Sequence, residues 1–159
     1  MAKASAMKLY VIGSLRNPRI PVIAKRLRSE GFDVFDDWYA AGPEADDYWQ
    51  RYEQQRGRTY GEALNGYSAG HVFEYDRSHL ETADVTVLVM PAGKSACVEF
   101  GYTLGRGTPG FILYEDGEPE RWDVMLRFAT GVYFDVDALV KRLAETPKRP
   151  VPSSKGLRV

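Results

Sequence analysis

The sequence predicts an α/β fold: a single-domain, mostly parallel five-stranded sheet flanked by helices, flavodoxin- or Rossmann-like, with a long aromatic-rich insertion between strands 2 and 3. Three observations predict it. Short runs of β-formers recur along the chain: KLYVI, DVF, VTVLVM and GFILY. Helical stretches separate most of them, which is the rhythm of βαβ units. At 159 residues the chain is long enough for one domain with a real core.

Residues 8–12 read as a buried strand ending at Gly13. Residues 20–30 read as a basic amphipathic helix with Ile20, Val22, Ile23 and Leu27 as apolar positions and Gly31 as the stop. Residues 33–35 form a second short strand. The segment 36–75 breaks the rhythm and carries Trp38, Tyr39, Tyr48, Trp49, Tyr52, Tyr60 and Tyr67. A connection of that length over the ligand end of a sheet suggests a lid or a subunit contact. The shared helical face of Tyr48, Trp49 and Tyr52 suggests local core instead, and both readings stand. A helix over 60–82, a strand over 84–90, a helix over 95–106, a strand over 110–114, a strand over 132–134 and a helix over 135–145 complete the domain, 8–146. Residues 147–159, rich in proline and polar residues, predict a flexible tail.

Hydrophobic residues are 44% and charged residues 27% of the chain, as in ordinary globular proteins. The formal net charge of -1 leaves no basic surplus to hold a nucleic-acid polymer. No apolar run approaches the roughly 20 residues of a membrane span, and the N-terminal stretch lacks a signal-peptide pattern. A lone cysteine, Cys97, excludes an internal disulfide and fits a reducing compartment, so we expect a cytoplasmic protein. Cys97 itself reads as a small packing residue. Gly93-Lys94-Ser95 imitates the end of a phosphate-binding loop, but Leu88 stands where its first glycine belongs. GSLRNP lacks the later glycines of a dinucleotide fingerprint. Nothing near His71 and His79 completes a zinc set, so no metal is expected.

Two carboxylates remain. Val72, Asp76, Leu80 and Ala83 follow the spacing of one helical stripe, which turns Asp76 toward the sheet. A structural role, pairing with an arginine or capping a loop, is equally open to it. Ser95 is a plausible N-cap, which places Glu99 near the first turn of its helix, at the carboxyl edge of the strands. Gly101 and Gly105 let that helix lie close to the sheet, and the helix N-terminus favours an ionised Glu99. A held, ionised, partly buried carboxylate is what a nucleophile on a sugar carbon requires. The competing reading of Glu99 is an ordinary surface glutamate stabilised by the helix dipole.

KLYVIGS, the D-x7-D spacing of Asp76 and Asp84, and VEFGYTLGRG together resemble the nucleoside 2-deoxyribosyltransferase family and its relatives, the deoxynucleotide N-hydrolases. The resemblance spans roughly residues 8–143 apart from the aromatic segment. It implies that Glu99 is the nucleophile at the anomeric carbon, that Asp76 protonates or orients the leaving base, and that Tyr10 positions the nucleophile. It implies that Gly13, Ser14 and Arg16 form a sugar or phosphate loop. It also implies that Asp123 and Met125 belong to a segment which a neighbouring subunit inserts into the site.

Two positions depart from the family pattern. The transferases place an aspartate six residues before the nucleophile and the hydrolases a serine; here it is Gly93, with Ser95 nearby as a substitute. The family's small polar residue at 123 is aspartate here, which repels a phosphate but can accept from a 5′-hydroxyl, favouring nucleosides over nucleotides. The implied activity is cleavage or exchange of an N-glycosidic bond through a glycosyl-enzyme intermediate, with no cofactor. The aromatic segment, Trp38 included, would stack the base and exclude water. Alternatives are a non-catalytic nucleotide-binding sensor and a NAD glycohydrolase. We further expect a homodimer or higher homo-oligomer acting on a small nucleoside or nucleotide.

Overall fold

The computed structural model describes residues 5–149. Its strands are β1 (Lys8–Ile12), β2 (Asp33–Phe35), β3 (Val85–Met90), β4 (Gly110–Tyr114) and β5 (Gly131–Tyr133). Its helices are α1 (Ile20–Ser29), α2 (Ala45–Gln55), α3 (Tyr60–Leu64), α4 (Tyr67–Thr82), α5 (Lys94–Gly105) and α6 (Val136–Ala144). The strands make one sheet in the order β2-β1-β3-β4-β5, and every neighbouring pair is parallel.

The two-residue period of each strand divides its side chains between two cores. Leu9 and Val11 of β1, Val85, Val87 and Val89 of β3, and Phe111 and Leu113 of β4 meet Ile20, Ile23 and Leu27 of α1 and Leu139 and Leu143 of α6. Tyr10, Ile12, Leu88 and Ile112 point the other way and meet Leu80 of α4 and Phe100 of α5. Each fully buried aliphatic or phenyl side chain contributes about 1.5–3 kcal/mol, so β1 and β3, buried on both sides, anchor the fold. The one polar side chain of the buried run in β3, Thr86, meets the Thr103 hydroxyl of α5 at 3.1 Å, and Thr103 also donates to the Phe100 carbonyl at 2.8 Å. Neither buried hydroxyl is orphaned, which removes the penalty of placing them there.

The chain leaves β1 for β2 on one side of the sheet and returns as β3 on the other. Chain order therefore reverses between β1 and β3, and open α/β sheets take ligands outside the carboxyl ends of their strands at such a reversal. Gly13 ends β1 there. A Cβ on it would lie 2.4 Å from Cδ1 of the buried Ile20, so any larger residue here would force the Ile20 side chain to move.

Several local expectations need correction. Val22 is 46% exposed, because Ile20, Ile23, Ala24 and Leu27 make the helical stripe and a 100° turn per residue carries position 22 off it. The stretch 60–82 is two helices. Thr59 and Glu62 form a capping box that starts α3, the Asn65 amide donates to the Gly61 carbonyl at 2.8 Å to close it, and Gly66 starts α4 with extended backbone. Segment 36–75 is structured: a 3-10 turn at Asp37–Ala41, then α2, α3 and the start of α4. Tyr48 and Tyr52 are 59% and 48% exposed, so their shared face with Trp49 builds no core within the chain. The buried side chain of α2 is Glu53, paired with Arg58 at 2.7 Å. In the tail, Lys148 donates to the Ser5 carbonyl at 3.1 Å and Arg149 to the Thr108 hydroxyl at 2.8 Å. The tail from Pro150 onward lies outside the described residues. Among the described residues no helix is long and apolar enough to cross a membrane.

Candidate functional site

Glu99 and Asp76 stand on neighbouring helices, α5 and α4, that pack on the same side of β1. Helix α5 begins one residue earlier than its sequence suggests: Gly93 is the N-cap, with extended backbone, and Ser95 lies inside the first turn. Glu99 consequently falls in the second turn. Ala96, Phe100 and Thr103 are buried on the sheet, and Glu99, beside Phe100 on the flank of that stripe, is half-buried. Gly101 and Gly105 do not mediate the close approach; both are exposed and a Cβ on either would meet nothing within 4 Å. The close approach is made on the strand side, at Gly110, where a Cβ would lie 2.6 Å from the Phe100 ring and 2.9 Å from Leu104.

Leu80 and Ala83, at the end of α4, are buried, Asp76 is half-buried, and Val72 is 59% exposed. Only the second half of the expected stripe meets the sheet. A 16-residue helix is about 24 Å long against about 17 Å for a five-residue strand, and α4 ends just before β3 begins. Its first turn therefore overhangs the carboxyl edge, and Asp76 lies further along, in the part of the helix that runs beside the strands. Between the two helices Tyr10 rises from β1, 1% exposed.

Asp76 acts electrostatically on Glu99, and both act on Tyr10. Burial first, and the charge of Asp76 second, push Glu99 up to about 7. Burial also raises Asp76, against a smaller downward pull from His79. Burial raises Tyr10 far above the ordinary phenol range, and the charges of Glu99 and Asp76 raise it further. Tyr10 thus remains a protonated donor across the physiological range. The expected helix-dipole preference for an ionised Glu99 does not win: the dipole acts within the first turn, and in the second turn desolvation dominates. Among the described residues neither Asp76 nor Glu99 has an ion-pair partner, and neither accepts a hydrogen bond from the protein. That removes the structural reading of Asp76 as an arginine partner or loop cap.

Phe35, Tyr75 and His79 wall the same cleft and were not singled out by sequence. The Phe35 ring lies 5.0 Å from Tyr10, and His79 stacks on Phe35 at 4.0 Å with 10° between planes. The signal was available: His79 follows Asp76 by three residues, one helical turn, and so shares its face. Trp38 is half-buried, and its indole donates to the Val11 carbonyl of β1 at 2.8 Å. That bond fixes the ring over the end of β1.

The remaining candidate residues are placed as follows. The Ser14 hydroxyl accepts from the Arg16 amide at 3.1 Å, shaping the loop after β1. Arg16 reaches Asp47 of α2 at 3.4 Å, and Arg19 grips both oxygens of Glu115 beyond β4. Gly93 and Ser95 are exposed at the start of α5. Asp123 caps the 3-10 turn Val124–Phe128 by accepting from the Met125 amide at 2.9 Å. Its charge lies near enough to Tyr114 to raise that phenol, after burial. Met125 does not join the cleft within its own chain. With Cys97, Gly101, Leu104 and Phe128 it lines an apolar groove of ≈730 Å³. The 100° helical turn puts those α5 residues on the side opposite Glu99. Cys97 is exposed there rather than packed.

No family model matches the chain, and no curated protein matches it. Solved structures do. A 2-deoxyribosyltransferase from the psychrotolerant bacterium Bacillus psychrosaccharolyticus superposes with a TM-score of 0.59 at 19% identity, over 91% of this chain and 98% of that one. A conserved protein from Enterococcus faecalis V583 gives a TM-score of 0.59 at 12% identity, over 88% of this chain and 98% of that one. The five-stranded parallel sheet with helices on both faces, over nearly its whole described length, is thus a fold this chain shares with a 2-deoxyribosyltransferase.

Proposed function

We propose that the protein cleaves or exchanges the N-glycosidic bond of a nucleoside. The observation that carries the reading is the pair of half-buried carboxylates, Glu99 and Asp76, on neighbouring helices, with the charge of Asp76 felt at Glu99 and neither held by an ion pair or hydrogen bond among the described residues. Such groups are costly to bury and stay in a protein when a ligand uses them. The fold likeness to a 2-deoxyribosyltransferase supports the same reaction class.

The ionised Glu99 attacks C1′ while the bond from C1′ to the base nitrogen breaks. The electron pair stays on the base, and Asp76 supplies the proton. Water or a second base then attacks C1′, the ester bond to Glu99 breaks, and the carboxylate is regenerated. Tyr10, fixed as a donor, orients Glu99, while Phe35 and Trp38 offer aromatic surface to the base. Arg16 and Arg19 are already matched by Asp47 and Glu115, which favours an uncharged sugar over a 5′-phosphate.

A homo-oligomer completes this reading. Trp122, Val124, Met125 and Phe128 are 79%, 80%, 60% and 73% exposed beside the apolar groove, a surface suited to a neighbouring copy that receives Asp123 or Met125. Incubation with nucleosides, their 5′-monophosphates and NAD, followed by chromatography for released or exchanged base, tests the activity. Turnover by wild type that is lost in Glu99→Ala is the expected result. No base released from any of them, with ligand bound unchanged, identifies a sensor instead.

A further inference from the structure

We propose that His79 is a positioning residue for Asp76, a clamped imidazole that governs when the Asp76 carboxyl carries its proton. The inference rests on the glycosidic reading only for its consequence in turnover; the coupling itself is a property of the free protein.

His79 sits one helical turn beyond Asp76 on α4, a spacing that brings side chains within about 5–6 Å at Cβ. Its ring is not free to turn away. Phe35 of β2 covers one face at 4.0 Å, nearly parallel, and Tyr75 meets it edge-on at 4.9 Å. Phe35 is in turn held by Tyr10 at 5.0 Å. The stack thus ties the imidazole to the same strand and the same tyrosine that face Glu99. A merely space-filling ring in this stack has no need of nitrogens; a histidine there places a switchable charge beside a half-buried carboxylate.

The surrounding groups leave Asp76 as the partner. On α4 they are Asp76 and Tyr75, from β1 Tyr10 packs on Phe35, and from α5 comes Glu99, on which Asp76 acts. Asp36, which follows Phe35, is engaged by Arg28, and Glu81 by Tyr102 and Arg106. A protonated imidazole holds Asp76 ionised, in line with the downward pull of His79 at that carboxyl. As the imidazole loses its proton, the pull ends and Asp76 becomes the better proton holder. The charge can only lower the carboxyl, so with the imidazole neutral Asp76 holds its proton as well as burial alone allows, and with it charged Asp76 gives the proton up more readily.

Carboxyl-carbon NMR titration of Asp76 in the free protein tests this, in wild type, His79→Phe and His79→Gln. Phe keeps the stack and Gln keeps polarity; neither carries the charge. The Asp76 midpoint should rise by roughly 0.5–1 pH in both variants, as expected for one charge removed at this range in a half-exposed setting. In wild type the Asp76 signal should also show a second, smaller inflection coincident with the titration of the His79 ring, a readout that needs no variant to fold. An Asp76 curve without that inflection, or an unmoved midpoint in a folded variant, overturns the proposal. Base release is measured separately: coupling with no turnover on any substrate leaves His79 as the partner of Asp76 and sinks the glycosidic reading, whereas turnover without coupling does the reverse.

Discussion

Replacing Glu99 by Gln should make the protein more stable above neutral pH and leave it unchanged in acid. Glu99 is raised from 4.5 to about 7, by burial first and by Asp76 second. A carboxyl whose folded value lies above its unfolded value is protonated in both states at low pH, where it costs nothing. Between 4.5 and about 7 the unfolded chain ionises first, and the folded state loses stability as pH rises. Above that window both states are ionised and the full cost remains, about 3 kcal/mol at 1.36 kcal/mol per pH unit. Because Glu99 retains some solvent contact, about 2–3 kcal/mol is the working figure. Gln has nearly the same shape and no charge, and Glu99 has no protein hydrogen bond to lose. Urea unfolding at pH 4, 7 and 9 measures it, with the wild-type-minus-variant difference cancelling other titrations. At pH 9 the variant should be stabilised by about 2–3 kcal/mol, or roughly 4–12 °C in melting temperature for a chain of this size. At pH 4 the two should coincide. A difference independent of pH, or no gain at pH 9, would refute the reasoning, because Glu99 would then have a compensating partner in the folded state.

Other outcomes follow from the same geometry. The kcat/KM for base release should rise with pH through about 7 as Glu99 ionises, and a pH profile flat from 5 to 9 would contradict that. Asp76→Asn should lower the rate about 10²–10⁴-fold on bases that need a proton, with the fold intact by circular dichroism. The same change should move Glu99 downward, since Asp76 is the second cause of its elevation; carboxyl NMR reads this directly. Gly110→Ala should destabilise by about 1–3 kcal/mol, because its methyl would sit 2.6 Å from the Phe100 ring; denaturation that matches wild type would show that α5 can shift. Light scattering should report more than one 17.9 kDa chain, and mixing Glu99 and Asp123 variants should restore part of the activity if neighbours share a site.

The sequence by itself determined the order of the five strands and most of their positions, but not α2 or the break between α3 and α4. β1, β2 and β4 fall where β-forming runs predict them; β1 and β4 are apolar because an inner strand of a parallel sheet is buried on both faces, while β2 at the sheet's edge keeps Asp33 exposed. The α/β class followed from the alternation of those runs with helices. Asp76 and Glu99 could be singled out because their spacing within each helix is local, whereas Tyr10 could be named only through the family resemblance. Their electrostatics could not be read this way. The helix-start argument foresaw an ionised Glu99, whereas its elevation comes from desolvation and from Asp76, a neighbour 23 positions away in sequence that only packing on β1 brings close. The close helix–sheet contact was sought at Gly101 and Gly105, by spacing within one helix. It is made at Gly110, on the opposite element, because the bulky Phe100 and Leu104 project from α5 into the place a Cβ on the strand would occupy. Local pattern reports which face of an element is apolar. What that face meets, and the dielectric and charges that a meeting creates, depend on distances between elements, and the tertiary structure alone sets those.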